Sequence, residues 1–158
     1  MSKTVIKCHK WLLMFRGRSK HNLDAKGRLA IPTRFREVLT RKGDQCLVVT
    51  HKDGCLWAFT RDVWQRLEEK AANLPLFDSA GIAFLRYFIS GAEECPLKNG
   101  RITIPLYLRE VTGLEKEVVV VGQLKRFEIW DKKKWEEEFE RVTEVFPEAS
   151  QALQELRI

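Results

Sequence analysis

The chain has 158 residues, 44% hydrophobic and 32% charged, which suits one medium domain or two small intertwined ones and excludes a disordered polymer. Its 28 Lys and Arg against 22 Asp and Glu leave a net charge of +6, a balance that favours polyanionic partners. Apolar runs such as Val118–Val121 and the interrupted stretch Ile82–Ile89 fall far short of the roughly 20 residues that cross a bilayer, so no membrane partner is expected.

Residues 1–13 carry three lysines and are expected to form a disordered N-terminal extension. The apolar stretch Trp11–Phe15 is too short for a secretory signal, and Arg16 and Arg18 follow it at once. Arg16, Arg18, Lys20 and His21 then lie on a strand that enters a turn at Leu23-Asp24-Ala25-Lys26-Gly27-Arg28. The strand after this turn ends at Pro32, which cannot donate to a ladder but suits the first turn of a helix over Thr33–Leu39. Past Lys42-Gly43-Asp44, Cys46–Thr50 and Cys55–Phe59 have the length and composition of buried strands. Arg61–Ala72 and Phe77–Ile89 read as helices separated by Asn73-Leu74-Pro75.

The same order then returns. A turn at Lys98-Asn99-Gly100-Arg101 leads through a strand to Pro105 and a helical turn over Leu106–Val111. Strands at Val118–Val121 and Arg126–Trp130 follow, then a last helix with Asp131 as its N-cap. Trp135, Phe139, Val142 and Phe146 give that helix an apolar stripe. Aligned from Gly27 to Gly100, an offset of 73 residues, Gly27–Val38 and Gly100–Val111 share Gly, Arg, Ile, Pro, Arg, Glu and Val. The expected organisation is repeat 1 over 18–63, a helical linker over 64–91, repeat 2 over 92–135 and a C-terminal helix over 136–158. Neither set of short strands can bury both faces alone. The chain is therefore expected to be α+β and β-rich, with two duplicated halves pairing into one pseudo-symmetric barrel with peripheral helices.

The two turns are where chemistry concentrates. Gly27 supplies positive φ for a tight turn, and Asp24 can fold over the turn N–H groups or pair with Arg28. Lys26 and Arg28 sit at or beside the tip, where they suit phosphate contact, and arginine can also read a guanine edge. Turn formation alone explains Asp24 and Gly27, but no turn requires arginine after glycine in both copies. Cys8, Cys46, Cys55 and Cys95 form no C-x-x-C pair, and His21 and His51 stand isolated, so no metal or other cofactor is expected. No Ser-His-Asp order, phosphate loop or carboxylate dyad appears, and Asp24, Asp44 and Asp53 all lie in turn-like settings. An enzyme acting on a small-molecule substrate is not expected.

Several stretches together resemble the MraZ family of bacterial transcriptional regulators, within the SpoVT/AbrB superfamily of swapped-hairpin barrels. They are Met14-Phe15-Arg16-Gly17, Leu23–Arg36, Ser90–Cys95, Gly100–Pro105, Lys116–Gly122 and Phe127–Trp130. The resemblance implies a swapped-hairpin-like barrel built from two halves and a ring-shaped homo-oligomer, an octamer in most members. It also implies sequence-specific binding of double-stranded DNA at repeated short promoter boxes. The implied target is the promoter of the division and cell-wall gene cluster, including the regulator's own gene, with repression as the expected outcome. The protein would then be cytoplasmic and nucleoid-associated. Carried over by position, the DNA-binding residues are Arg16, Lys26, Arg28, Lys98 and Arg101, with Asp24, Gly27 and Gly100 orienting the loops. The second loop departs from the pattern: Leu97 stands where an Asp is expected, and Arg101 should be less well oriented than Arg28. Two alternatives are an antitoxin-like regulator that binds a protein partner, and a ring-forming scaffold using Trp57, Trp64, Trp130 and Trp135. The fused repeat argues against the antitoxin-like form.

Overall fold

A computed structural model describes residues 12–75 and 77–157. Cys8 and most of the expected N-terminal extension lie outside the described residues. Leu12 and Leu13 form a half-buried turn leading to Phe15, which bridges to Leu124. The strands are β1 (Arg18–Asn22), β2 (Arg28–Ala30), β3 (Cys46–Lys52), β4 (Cys55–Thr60), β5 (Glu93–Pro96), β6 (Arg101–Thr103), β7 (Glu117–Gly122) and β8 (Arg126–Asp131). Six form an antiparallel sheet in the order β1-β7-β8-β4-β3-β5, while β2 and β6 pair as a separate ribbon.

This order reads the same from either end once the halves are exchanged. β1 of the first half pairs with β7 of the second, β5 of the second pairs with β3 of the first, and β4 meets β8 at the centre. Each half thus completes the other's sheet. The expected α+β, strand-rich class holds, but the sheet does not close into a barrel, because β1 and β5 stay unpaired edges at its two ends. The ribbon β2–β6 lies between them instead. Its inward residues Leu29 and Ile102, 0% and 1% exposed, fill the space that a closing ladder would occupy.

Strand composition follows from burial on both faces. β3 and β7 are nearly unbroken apolar runs because one face meets the main core and the other meets helices. The main core gathers Leu29, Ile31, Phe35, Leu47, Val49, Leu56, Val118, Val120, Phe127 and Ile129 from both halves. At its centre the rings of Phe15, Phe35 and Phe127 meet at 5.0–5.1 Å between centroids, with two of the three contacts edge-on. On the outer face, helix α2 (Arg61–Ala71) sets Trp64 against Val48, Phe59 and Phe88. Trp135 of helix α5 (Lys132–Ala149) packs at the matching place beside Val119, Val121 and Trp130. Helices α1 (Thr33–Arg41) and α4 (Leu106–Thr112) each begin right after a proline, as their sequence predicts.

Three expectations need correction. The segment read as one helix over Phe77–Ile89 is α3 (Ser79–Phe84), capped by Asp78, running into a wider π-helical turn over Leu85–Ile89. That widening turns Phe88 into the outer cluster and lets its carbonyl accept the Thr50 hydroxyl at 2.6 Å. Asp131 occupies the N-cap position of α5 but caps nothing with its side chain. Its carboxylate accepts the N–H of Glu115 at 3.1 Å instead. The stripe on α5 is nowhere fully buried: Trp135 and Val142 are half-buried, and Phe139 and Phe146 are 44% and 57% exposed, since the helix runs off the sheet. A short helix α6 (Gln151–Glu155) follows it.

Because the aromatic triad joins both halves, removing one ring loosens both. Phe127→Ala is expected to destabilise the fold by about 3–5 kcal/mol. Urea denaturation should show one unfolding transition at lower denaturant, whereas two separated transitions would mean that the halves are independent.

Candidate nucleic-acid interface

The site is built on the ribbon β2–β6. Its register pairs Arg28 with Thr103, Leu29 with Ile102, and Ala30 with Arg101. Paired residues share a face, so Leu29 and Ile102 point inward while Arg28 and Arg101 share the outward face, one on each strand. Their side chains are 40% and 43% exposed. Lys26 and Lys98 are exposed on the turns that lead into the two strands.

The first turn is set by Asp24. Gly27 N–H donates to Asp24 O at 3.0 Å and Asp24 N–H to Arg28 O at 3.2 Å, with Gly27 at φ +79°. This is a type I turn closed by a glycine bulge. Oδ1 of Asp24 accepts the N–H groups of Lys26 (2.9 Å) and Arg28 (2.8 Å). Oδ2 accepts Nε–H of Arg28. The two alternatives open from sequence are therefore used together: one oxygen folds over the turn and the other holds the guanidinium. The Arg28 backbone N–H, then its guanidinium and the Lys26 N–H, hold the Asp24 carboxyl below the usual carboxylate range, against some opposing desolvation.

The second turn differs. Lys98 N–H donates to Arg101 O at 2.8 Å and Arg101 N–H to Lys98 O at 3.0 Å, closing a two-residue turn of Asn99 and Gly100. Both have positive φ, +52° and +76°. That makes it a type I′ hairpin, and it accounts for the missing residue. In this ladder Lys98 takes the place that Asp24 has in the first turn. The guanidinium of Arg101 is not left without an acid, however. Its Nη1 lies 3.8 Å from Oδ2 of Asp24, so one carboxylate serves both arginines. The expected inequality is thereby reduced, because the ribbon brings the first turn's acid to the second turn's arginine.

Arg16 is placed elsewhere. β1 separates it from the Asp24 turn, and its backbone packs on Gly122 at the β7–β8 turn. The repeat alignment also holds a second identical pair of arginines, Arg36 and Arg109, whose place in the site the sequence does not reveal. Each lies against the glycine of the opposite half's turn. A Cβ added to Gly27 would stand 2.6 Å from Nε of Arg109, and one on Gly100 would stand 3.0 Å from Nη1 of Arg36. The only advance sign of them was this repetition.

The remaining polar groups do other work. Asp44 ties the start of α2 by accepting from Arg61 and from the N–H of Cys46. Cys46, Cys55 and Cys95 are buried, and burial pushes each thiol upward, away from the reactive thiolate. Among the described residues no group of three or more His, Cys, Asp and Glu is placed to hold a metal ion. No described helix is long and apolar enough to cross a membrane.

A family model described as "MraZ protein, putative antitoxin-like" matches the chain twice, over residues 14–87 and 88–156. A protein named transcriptional regulator MraZ from Syntrophobacter fumaroxidans is 49% identical over 123 residues, covering 77% of this chain and 82% of its own. One of the same name from Halothermothrix orenii is 40% identical over 146 residues, 92% of this chain and 100% of its own. Another, from Ligilactobacillus salivarius, is 48% identical over 124 residues, 78% and 85% of the two chains.

The shared carboxylate makes a pH prediction. Asp24 has a lowered folded-state pKa, so its stabilisation of the turns is present above the ordinary carboxylate range and is lost as pH falls through the lowered value. A carbon-detected NMR titration should place the Asp24 midpoint below the ordinary range. Arg28→Ala should raise it only part of the way, because the backbone N–H donor at position 28 survives the substitution. A midpoint at the ordinary value in the wild type would contradict this geometry.

Proposed function

The chain belongs to the MraZ family of transcriptional regulators, and from that membership and the ribbon's geometry we propose that it is a sequence-specific DNA-binding regulator rather than an enzyme. One observation carries the reading: two arginines project from the outward face of a two-stranded ribbon, one hydrogen-bonded to Asp24 and the other ion-paired with it, with lysines on the flanking turns. The major groove of B-DNA admits a two-stranded ribbon, and a pre-oriented arginine matches the O6 and N7 acceptors of guanine. Lys26 and Lys98 suit the phosphates on either side. Arg28, Arg101, Lys26 and Lys98 are the contacting residues in this proposal, with Asp24, Gly27 and Gly100 orienting them. Arg16 joins them only as a peripheral phosphate contact, given its position at the far end of β1.

The finer parts of the proposal rest on the family resemblance. The target is repeated short boxes in the promoter of the division and cell-wall gene cluster, including the protein's own gene, and binding represses it. Closely spaced boxes call for several ribbons on one particle, which favours the octameric ring of the family. A soluble ring acting there is cytoplasmic and nucleoid-associated.

Fluorescence anisotropy with duplex DNA from just upstream of the coding region tests the core of this reading. Affinity should fall steeply with salt, as expected where lysines and arginines displace counterions. Arg28→Ala should weaken binding about ten- to a hundredfold, the cost of one bidentate base contact. Arg101→Ala should weaken it less, because Asp24 bonds Arg28 directly but reaches Arg101 only at 3.8 Å. Light scattering should show the oligomer unchanged in both variants. No binding of the upstream duplex at low salt would sink the regulator hypothesis.

A further inference from the structure

Each turn of the ribbon is held by a three-part clasp that crosses between the halves. The N–H of Ile31 donates to the Gly100 carbonyl at 2.9 Å, and the carbonyl of Ile31 accepts Nε–H of Arg36 at 3.1 Å. The Arg36 guanidinium then closes back on Gly100, with Nη1 and Cζ 3.0 and 3.3 Å from where a Cβ there would lie. The other side repeats this arrangement. Ile104 N–H donates to the Gly27 carbonyl at 2.9 Å, Ile104 O accepts Nε–H of Arg109 at 3.1 Å, and Nε and Cζ of Arg109 lie 2.6 and 2.7 Å from a Gly27 Cβ position.

We propose that Arg109 and Arg36 are positioning residues for the DNA-contacting turn of the opposite half. Arg109 sets the Asp24–Arg28 turn, and Arg36 sets the Lys98–Arg101 turn. A glycine at positive φ is the softest point of a turn, since no side chain restrains it. A planar guanidinium fixed at Nε by a backbone carbonyl supplies that restraint from outside, and only glycine leaves room for it. It also places a second permanent cation under each turn, where it adds to the field that a phosphate backbone meets. The fold does not need these side chains for its core. The buried contacts of α1 come from Phe35, Val38 and Leu39, and those of α4 from Leu108 and Thr112.

This inference rests on the DNA-binding reading for its effect on affinity, but the positioning itself can be seen without DNA. In amide NMR spectra of the free protein, Arg109→Gln should move the signals of Lys26, Gly27 and Arg28 and leave those of Asn99 and Gly100 in place. Arg36→Gln should do the reverse. On DNA, each variant should bind about tenfold more weakly, the order expected for loss of one charge-assisted hydrogen bond. Double-mutant cycles should show Arg109→Gln non-additive with Arg28→Ala and additive with Arg101→Ala, with the opposite pattern for Arg36→Gln. Arg109→Lys, which keeps the charge but not the fork, should recover part of the affinity and guards against a Gln variant that fails to fold. Shifts confined to each arginine's own half, or equal coupling to both readers, would overturn the proposal. If the wild-type protein binds no DNA, the regulator reading falls, and the crosswise amide shifts alone decide the positioning.

Discussion

Two strands of three residues make too short a ladder to hold a ribbon in place, so the position of β2–β6 depends on what surrounds it. Two constraints supply this. Leu29 and Ile102 are buried in the main core, which fixes the inward face. The reciprocal bonds from Ile31 N–H to Gly100 O and from Ile104 N–H to Gly27 O, each 2.9 Å, tie the end of each strand to the turn of the other half. The rest follows from this exchange. The outward face of the ribbon is left to Arg28 and Arg101, and the sheet stays open because the ribbon occupies the gap between its edges.

The exchange also decides the electrostatics. The first turn has an acid and the second has a lysine at the corresponding place, so treated separately the turns would be unequal. Antiparallel pairing brings Arg101 to 3.8 Å from Asp24, so the carboxylate that holds Arg28 is also ion-paired with the second guanidinium. The N–H groups of Arg28 and Lys26 and the Arg28 guanidinium hold that carboxyl below the usual carboxylate range. Against this one acid the ribbon and its turns carry Arg28, Arg101, Lys26 and Lys98.

Much of the fold was legible in the sequence. The repeated Gly-Arg-x-x-Ile-Pro segment located both halves of the ribbon, and the prolines located the starts of α1 and α4, because proline ends a strand and opens a helix whatever packs around it. The turn at Asp24 was also legible in its parts, since Asp and Gly act through local hydrogen bonds and local φ. The π-helical turn at Leu85–Ile89 was not legible, as its register serves Phe88 in a cluster assembled from β3, β4 and α2. The same holds for Asp131. Its place before a helix was correct, but a turn 16 residues earlier in the chain took its carboxylate.

The sequence by itself determined which residues stand in the two turns and that the turns are copies, since both are properties of neighbouring residues. Only the tertiary structure decided that the copies face the same way on one ribbon, that they share Asp24, and that Arg36 and Arg109 reach across to the opposite glycine. It also set Arg16 apart from the two turns, against Gly122. The physical reason is that side-chain direction on a strand is fixed by pairing register, and here every decisive pairing joins residues from opposite halves, far apart in the chain.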